Sequence, residues 1–166
     1  MSILQSCFSL LLALFLLLTA LPLPAQAASS AAIRAIDDAE ATAKSYAGQQ
    51  LIRAEFANVR LIDADFTGAN LQGAVFNGSN LTKANLHGVD FSNGIAYLSN
   101  FANADLSDAV LTSAMLLKSN FKGAKITGAD FSDAVLDRKQ VMDLCAAANG
   151  INPITGVNTR DSLGCP

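Results

Sequence analysis

From residue 51 to residue 136, a large apolar residue falls at every fifth position. Seventeen of these eighteen positions hold Leu, Phe or Ile, beginning Leu51, Phe56, Leu61, Phe66 and ending Phe121, Ile126, Phe131, Leu136. The exception is Ala96, inside "GIAYL" at 94–98. Two residues before nearly every large residue stands a small one; eleven of these are Ala, and Ser79, Ser99 and Ser119 are three more. Two residues after it comes Gly, Asn, Asp or Lys in most repeats. A period of five matches neither the 3.6 of a helix nor the 2 of a strand. A helix with this pattern would smear its apolar residues around its whole circumference. Each five-residue unit instead reads as one short extended side ending in a turn. The large residue and the small one two before it then point the same way, because side chains alternate along an extended segment.

A second period sets the number of sides. "GSNL" (78–81), "LSNF" (98–101) and "KSNF" (118–121) repeat Ser-Asn-large at intervals of twenty. Twenty residues are four sides, so each coil is square and Asn80, Asn100 and Asn120 stack as a ladder on one outer wall. Eighteen sides make about 4.5 coils, a tower roughly 22 Å tall at about 4.8 Å per coil. Its interior, filled with Leu and Phe between Ala, leaves no room for a buried small-molecule pocket.

"ADFTGANLQGAVF" (64–76) and "ANLHGVDF" (84–91) resemble the A(D/N)LXX pattern of the pentapeptide-repeat family. The resemblance covers 49–138 and implies an all-β solenoid, a right-handed quadrilateral β-helix. Solenoid ends expose an apolar cross-section and unpaired backbone, so short α-helical caps are expected at both ends. Upstream, 28–48 is Ala-rich, with Ile33, Ile36, Ala43 and Ala47 on one helical stripe. Downstream, within 139–166, Asp137 reads as an N-cap, "RKQVMDLCAAA" as a helix and Gly150 as its C′ glycine. Val141, Leu144, Cys145 and Ala148 give that helix an apolar face. "NPITG" (152–156) reads as a turn and "NTRDSLGC" (158–165) as a second short helical turn. The tail "LCAAANGINPITGVNTRDSLGC" (144–165) is similar to that of pentapeptide-repeat proteins of the thylakoid lumen in plants and cyanobacteria.

Residues 1–27 read as a signal peptide: an apolar core from Phe8 to Pro24, then "AQA" as a small-x-small cleavage site. Its apolar run is short for a membrane span, which takes roughly 20 residues. An uncleaved signal is the rival and the one route to a membrane. Export implies the thylakoid lumen or the periplasm, and the lack of a long transit peptide favours a cyanobacterial chain. Cleavage leaves Cys145 and Cys165, which read as a disulfide in an oxidising compartment. A metal site is the alternative, but it would need more ligands and His87 is far away in sequence, so no metal and no cofactor is expected.

Function classes narrow by exclusion. His87 points outward, and Asp65, Asn85 and Asp105 share one exposed column about 10 Å from end to end, too far for carboxylates to share a proton. No nucleophile set or phosphate loop is present, so catalytic residues: none, and the chain is read as no enzyme. A duplex carries one charge per about 1.7 Å of axis, so a DNA mimic of this height needs roughly 13 negative charges. Residues 49–138 hold nine acids and seven bases, and nucleic acid is excluded as a partner. A protein surface remains. Every twentieth residue from Val75 gives Val75, Ile95, Met115 and Val135, on an outer wall where other columns carry Asp, Asn or Lys. Tyr97 and Leu117 stand beside them. Such an apolar patch marks a contact: an unidentified protein partner, self-association, or the chain's own termini folded over it. The expected role is a non-catalytic interaction scaffold. The alternative is a redox-regulated lumenal protein, switched through Cys145 and Cys165.

Overall fold

The residue two after each core position decides the path of the chain. In all eighteen turns from Gly48 to Asp133 it has φ between 55° and 72°. Gly meets this conformation without steric cost, and Asn and Asp tolerate it best among the rest, which is why they recur there. The turn closes by a bond from the small residue back to the large one, as from Ala64 N–H to Leu61 O (3.2 Å) and Ala69 N–H to Phe66 O (2.9 Å). The chain thus bends once per five residues.

A computed structural model describes residues 44–166. The signal, 1–27, and the stripe residues Ile33, Ile36 and Ala43 lie outside the described residues. Fifteen parallel bridges join each residue to the one twenty further on, from Ser45 with Asp65 to Met115 with Val135. Four sides therefore close one coil. The large residues form four inner columns, and nearly all of those between Phe56 and Leu116 are sealed from solvent. Aromatic rings stack coil on coil: Tyr46 on Phe66 at 4.7 Å, Phe56 on Phe76 at 4.9 Å, Phe101 on Phe121 at 5.2 Å.

Four details depart from expectation. The repeat starts before residue 49: Ser45 is bridged, Tyr46 is a core residue and Gly48 has a turn's φ of 65°. Ala47 is thus an exposed turn residue and not part of a helical stripe, because Tyr46 keeps the five-residue register and finds Phe66 to stack on. The asparagine ladder is interrupted. Asn120 Nδ2 donates to Asn100 Oδ1 (3.0 Å), but Asn100 Nδ2 donates to the Thr82 hydroxyl (3.1 Å), since Asn80 Oδ1 is taken by the Thr82 N–H and hydroxyl. The helix after the repeats is short, α1 at Arg138–Cys145, with Ala146 as its C-cap. Gly150 is therefore not its C′ residue. Gly150 has φ 86° and passes so close to the last coil that a Cβ there would lie 2.8 Å from the Gly128 nitrogen.

The tail is otherwise built as its residues suggest. Asp137 accepts from Gln140 N–H (2.9 Å), and Gln140 accepts from Asp137 N–H (2.7 Å), a reciprocal capping box. The Asn152 side chain organises the turn by accepting from Ile154 and Thr155 N–H, and it donates to Gly128 O (2.8 Å). Asn158 starts α2, Thr159–Ser162. Cys145, the last residue of α1, is bonded to Cys165. Leu144, Ala148 and Leu163 join the core of the tower.

Candidate functional site

The outward Asp and Asn side chains serve the chain itself. Asp65 accepts from Thr67 N–H (3.0 Å) and its hydroxyl (2.5 Å), Asn85 from His87 N–H (3.1 Å), and Asp105 from Ser107 N–H (3.0 Å). Each acceptor holds the amide two residues on, the small side-chain turn these residues favour. The Thr67 hydroxyl and N–H hold the Asp65 carboxyl below the usual carboxylate range. At Asp90, burial works upward, but the bonds from Ser92 and Gln72 outweigh it and its pKa is lowered. At Asp105 burial is likewise outweighed, by Ser107 and by Lys125, whose Nζ lies 3.3 Å away. A general acid needs the opposite shift. His87 is exposed. Among the described residues, no three of His, Cys, Asp and Glu gather as a metal-binding group.

The apolar wall forms one continuous ladder. Val75 is bridged to Ile95, Ile95 to Met115 and Met115 to Val135, with Glu55 above Val75. Exposure grows down the column: Val75 and Ile95 are half-buried, while Met115 is 42% and Val135 44% exposed. Tyr97 and Leu117 flank it, both half-buried. Asn77 Oδ1 fixes Tyr97 by accepting its N–H (3.0 Å), and the Lys118 ammonium lies 5.8 Å from the Tyr97 ring. Cys145 and Cys165 are remote from this wall in sequence and serve the tail.

Leu98 belongs with these residues and is not singled out by the five-residue pattern, which places it at a turn. It is 56% exposed at φ 58°. Every other turn residue at this position is Gly, Asn, Asp, Lys, Arg or Ser. A branched apolar side chain there costs about 1–2 kcal/mol relative to glycine and stays more than half exposed. Its signal in the sequence is the absence of a turn residue where the register demands one.

The exception at Ala96 is internal. Ala96 is fully buried and Ile95 stays on the outer ladder, so Ile95 does not rotate inward. A Cβ at Gly94 would fall inside the Phe91 ring. Phe91 thus fills the space that the small residue and the large residue share on other sides, and its ring packs at 5.6 Å from Phe76. Only a dry apolar cavity of about 10 Å³ remains, between Phe76, Phe91, Phe101 and Leu106.

The likenesses to known proteins agree with this architecture. The pentapeptide-repeat family pattern matches in eight copies, over residues 60–94 and 98–138, and breaks at the three residues centred on Ala96. The Arabidopsis thaliana chloroplast thylakoid lumenal protein TL20.3 is 67% identical over 42 residues, 25% of this chain and 15% of that protein. The thylakoid lumenal 15 kDa protein 1 of the same plant is 50% identical over 42 residues, 25% of this chain and 19% of that protein. The matched stretch is thus under a fifth of either relative's length. A crystal structure of a pentapeptide repeat protein from the Arabidopsis thaliana thylakoid lumen is 42% identical. It covers 74% of this chain and 85% of its own, with a TM-score of 0.61. Given that identity over most of both molecules, the chain belongs to the pentapeptide-repeat family.

Proposed function

We propose that this chain is a non-catalytic interaction scaffold of the thylakoid lumen, or of the corresponding periplasmic space, that docks another protein through its apolar wall. Pentapeptide-repeat proteins fold as right-handed β-helices and are generally non-enzymatic. The stacked coils, partly capped below by α1 and the disulfide-linked tail, present side chains at fixed spacings. The relatives' lumenal names, the apolar segment at 8–24 and the disulfide support the address.

One observation carries the docking reading: a ladder of apolar side chains is left open where the other walls are polar. Among the described residues the tail does not cover its lower half, where Met115 and Val135 are both exposed. Leu98, exposed at an unfavourable φ, extends the same surface. Apolar patches of this kind on monomers are commonly functional. Val75, Ile95, Tyr97, Met115, Leu117 and Val135 are the proposed contact residues.

Met115→Asp tests this. The variant is expected to fold, because Glu55 already stands in the same column. It is expected to lose a lumenal partner that the parent retains from host extract, by at least tenfold in retained amount. Unfolding of the variant would make the wall internal and sink the docking reading. A concentration-dependent dimer abolished by Met115→Asp would reassign the wall to self-association.

A further inference from the structure

The lower rim of the tower is not finished by the chain that leaves it. Each coil is bonded to the next by amides and carbonyls along its rim: Phe101 N–H donates to Asn120 O (2.8 Å), Asn103 N–H to Lys122 O (2.9 Å), and Ala104 O accepts from Lys125 N–H (2.9 Å). One coil lower the same three groups belong to Phe121, Gly123 and Ala124. None of them is bonded to a described residue. The chain that should have paired with them turns into α1 instead. Gln140 replaces part of the missing strand with its side chain: Nε2 donates to Leu116 O and Ser119 O, both at 2.8 Å. Further round the rim, Asn149 O accepts from Gly128 N–H (2.8 Å) and the Ser162 hydroxyl from Phe131 N–H (3.0 Å). Residues 121–124 are left open between these substitutes.

Beside the open rim, a trough of about 580 Å³ lies between α1 and the last coil. This lies within the range of ligand sites, roughly 300–1,000 Å³. Phe121, Ala124, Leu144 and Ala147 line its apolar part. Lys118, Lys122 and Lys139 stand along it, against Asp137 and Asp143. Lys139 is paired with Asp143 (2.5 Å), while among the described residues no acid pairs with Lys122. The stretch 117–126 carries three lysines and no acid on a chain whose net charge is −3.

An unpaired backbone edge recognises extended peptide, because only main chain offers acceptors and donors at strand spacing. Apolar floor and lysine rim add side-chain preference. We propose that residues 121–124 and the trough under them bind an extended acidic segment of a partner protein, which pairs in parallel as the next side of the solenoid. Its carbonyls accept from Phe121 and Gly123 N–H, and one of its amides donates to Ala124 O. This surface adjoins the apolar wall at Lys118, beside Tyr97, but its rim at 121–124 and Lys122 lie off that wall, so it stands or falls independently of the docking reading above.

The test uses the full chain and a fluorescein-labelled hexapeptide alternating valine with aspartate or glutamate. Three controls accompany it: the same peptide N-methylated at its valines, a lysine counterpart, and the Lys122→Glu variant. Binding is read by anisotropy, and amide exchange by NMR at Phe121 and Gly123, with Phe101 and Asn103 as paired references. The acidic peptide is expected to bind, and to slow exchange at Phe121 and Gly123 by tenfold or more without changing Phe101 and Asn103. Lys122→Glu is expected to weaken binding about fivefold, as loss and reversal of one exposed charge implies. The methylated and lysine peptides are expected to fail. Equal binding of the methylated peptide, or of the lysine peptide, would overturn the proposal. So would slow exchange at Phe121 and Gly123 before any peptide is added, since the rim would then already be covered by the chain itself or by a second copy.

Discussion

At Gly94 the missing side chain matters more than the backbone. Its neighbours in the same register are Val89 and Ser99, each with a Cβ directed into the core, and both are buried. Phe91 occupies that space here, and Ala96 leaves it room to do so. The three residues are one packing unit. Gly94→Ala is therefore expected to destabilise the fold by about 1–3 kcal/mol, the usual cost of overpacking. Phe91→Leu in the same chain is expected to recover most of that loss, although it costs stability alone. Urea midpoints of the two single variants and the double variant measure the coupling; additive losses would show that Gly94 and Phe91 do not share space. A second residue-scale device is the serine column. Ser79 Oγ accepts from Val59 N–H (2.9 Å) and donates to Phe56 O, so a hydroxyl from the next coil is inserted into that turn. Ser119 does the same between Ser99 N–H and Ala96 O. Serine is thus tolerated at an inward position that is mostly alanine on the other walls, because each hydroxyl finds partners.

At the scale of elements, α1 is held by one polar side chain as well as by Leu144 of its apolar face. Gln140 is buried, bonds two carbonyls of the last coil and completes the capping box with Asp137. Gln140→Ala leaves Leu116 O and Ser119 O without donors and is expected to cost roughly 1–3 kcal/mol. Gln140→Glu keeps an acceptor for Asp137 N–H but turns a carboxylate on the two carbonyls, so it is expected to cost more than alanine. Thermal unfolding of both variants checks the order, and a milder effect for Glu would mean that the cap, not the carbonyl contact, dominates. The disulfide closes a loop of sequence separation 20. Replacing both cysteines by serine is expected to cost about 3 kcal/mol by loop entropy. Calorimetry of the oxidised parent and the double variant measures it. Asp137 was legible as an N-cap, but nothing in the sequence said that Gln140 closes a capping box with it or that the Gln140 amide also reaches the tower. That depends on how α1 is docked.

For the whole molecule, stability is distributed along four walls of short-range contacts, and acid should loosen the two that carry Asp65, Asp90 and Asp105. Asp65, Asp90 and Asp105 have lowered pKa values in the folded chain. Their contribution is fully present above the ordinary aspartate value of about 4 and is lost as pH falls through the lower folded values. Denaturant midpoints are expected to fall below pH 4. Replacing all three by Asn should flatten that decline and lower the midpoint at pH 7, because an Asn still holds the amide two residues on, as Asn80 and Asn85 do, but lacks the contribution of the ionised carboxylate. An unchanged acid limb in the triple variant would place the acid sensitivity elsewhere.

By itself the sequence determined the repeat: where each side turns, which residues face inward, and that four sides make a coil. These follow from local sterics and from a period that no helix or flat strand can satisfy. The start of the tower was placed a few residues late, because Tyr46 is a core residue without a Leu-or-Phe neighbour on its own upstream side. The apolar column from Val75 to Val135 was legible because register alone assigns it to an outer wall. Only the tertiary structure decided what register does not reach. It showed Phe91 filling the space that Gly94 and Ala96 leave, Gly150 used for close approach and not for ending a helix, and the rim at 121–124 left unpaired. Each depends on how non-repeating groups meet across coils, and a periodic pattern carries no information about contacts that occur once.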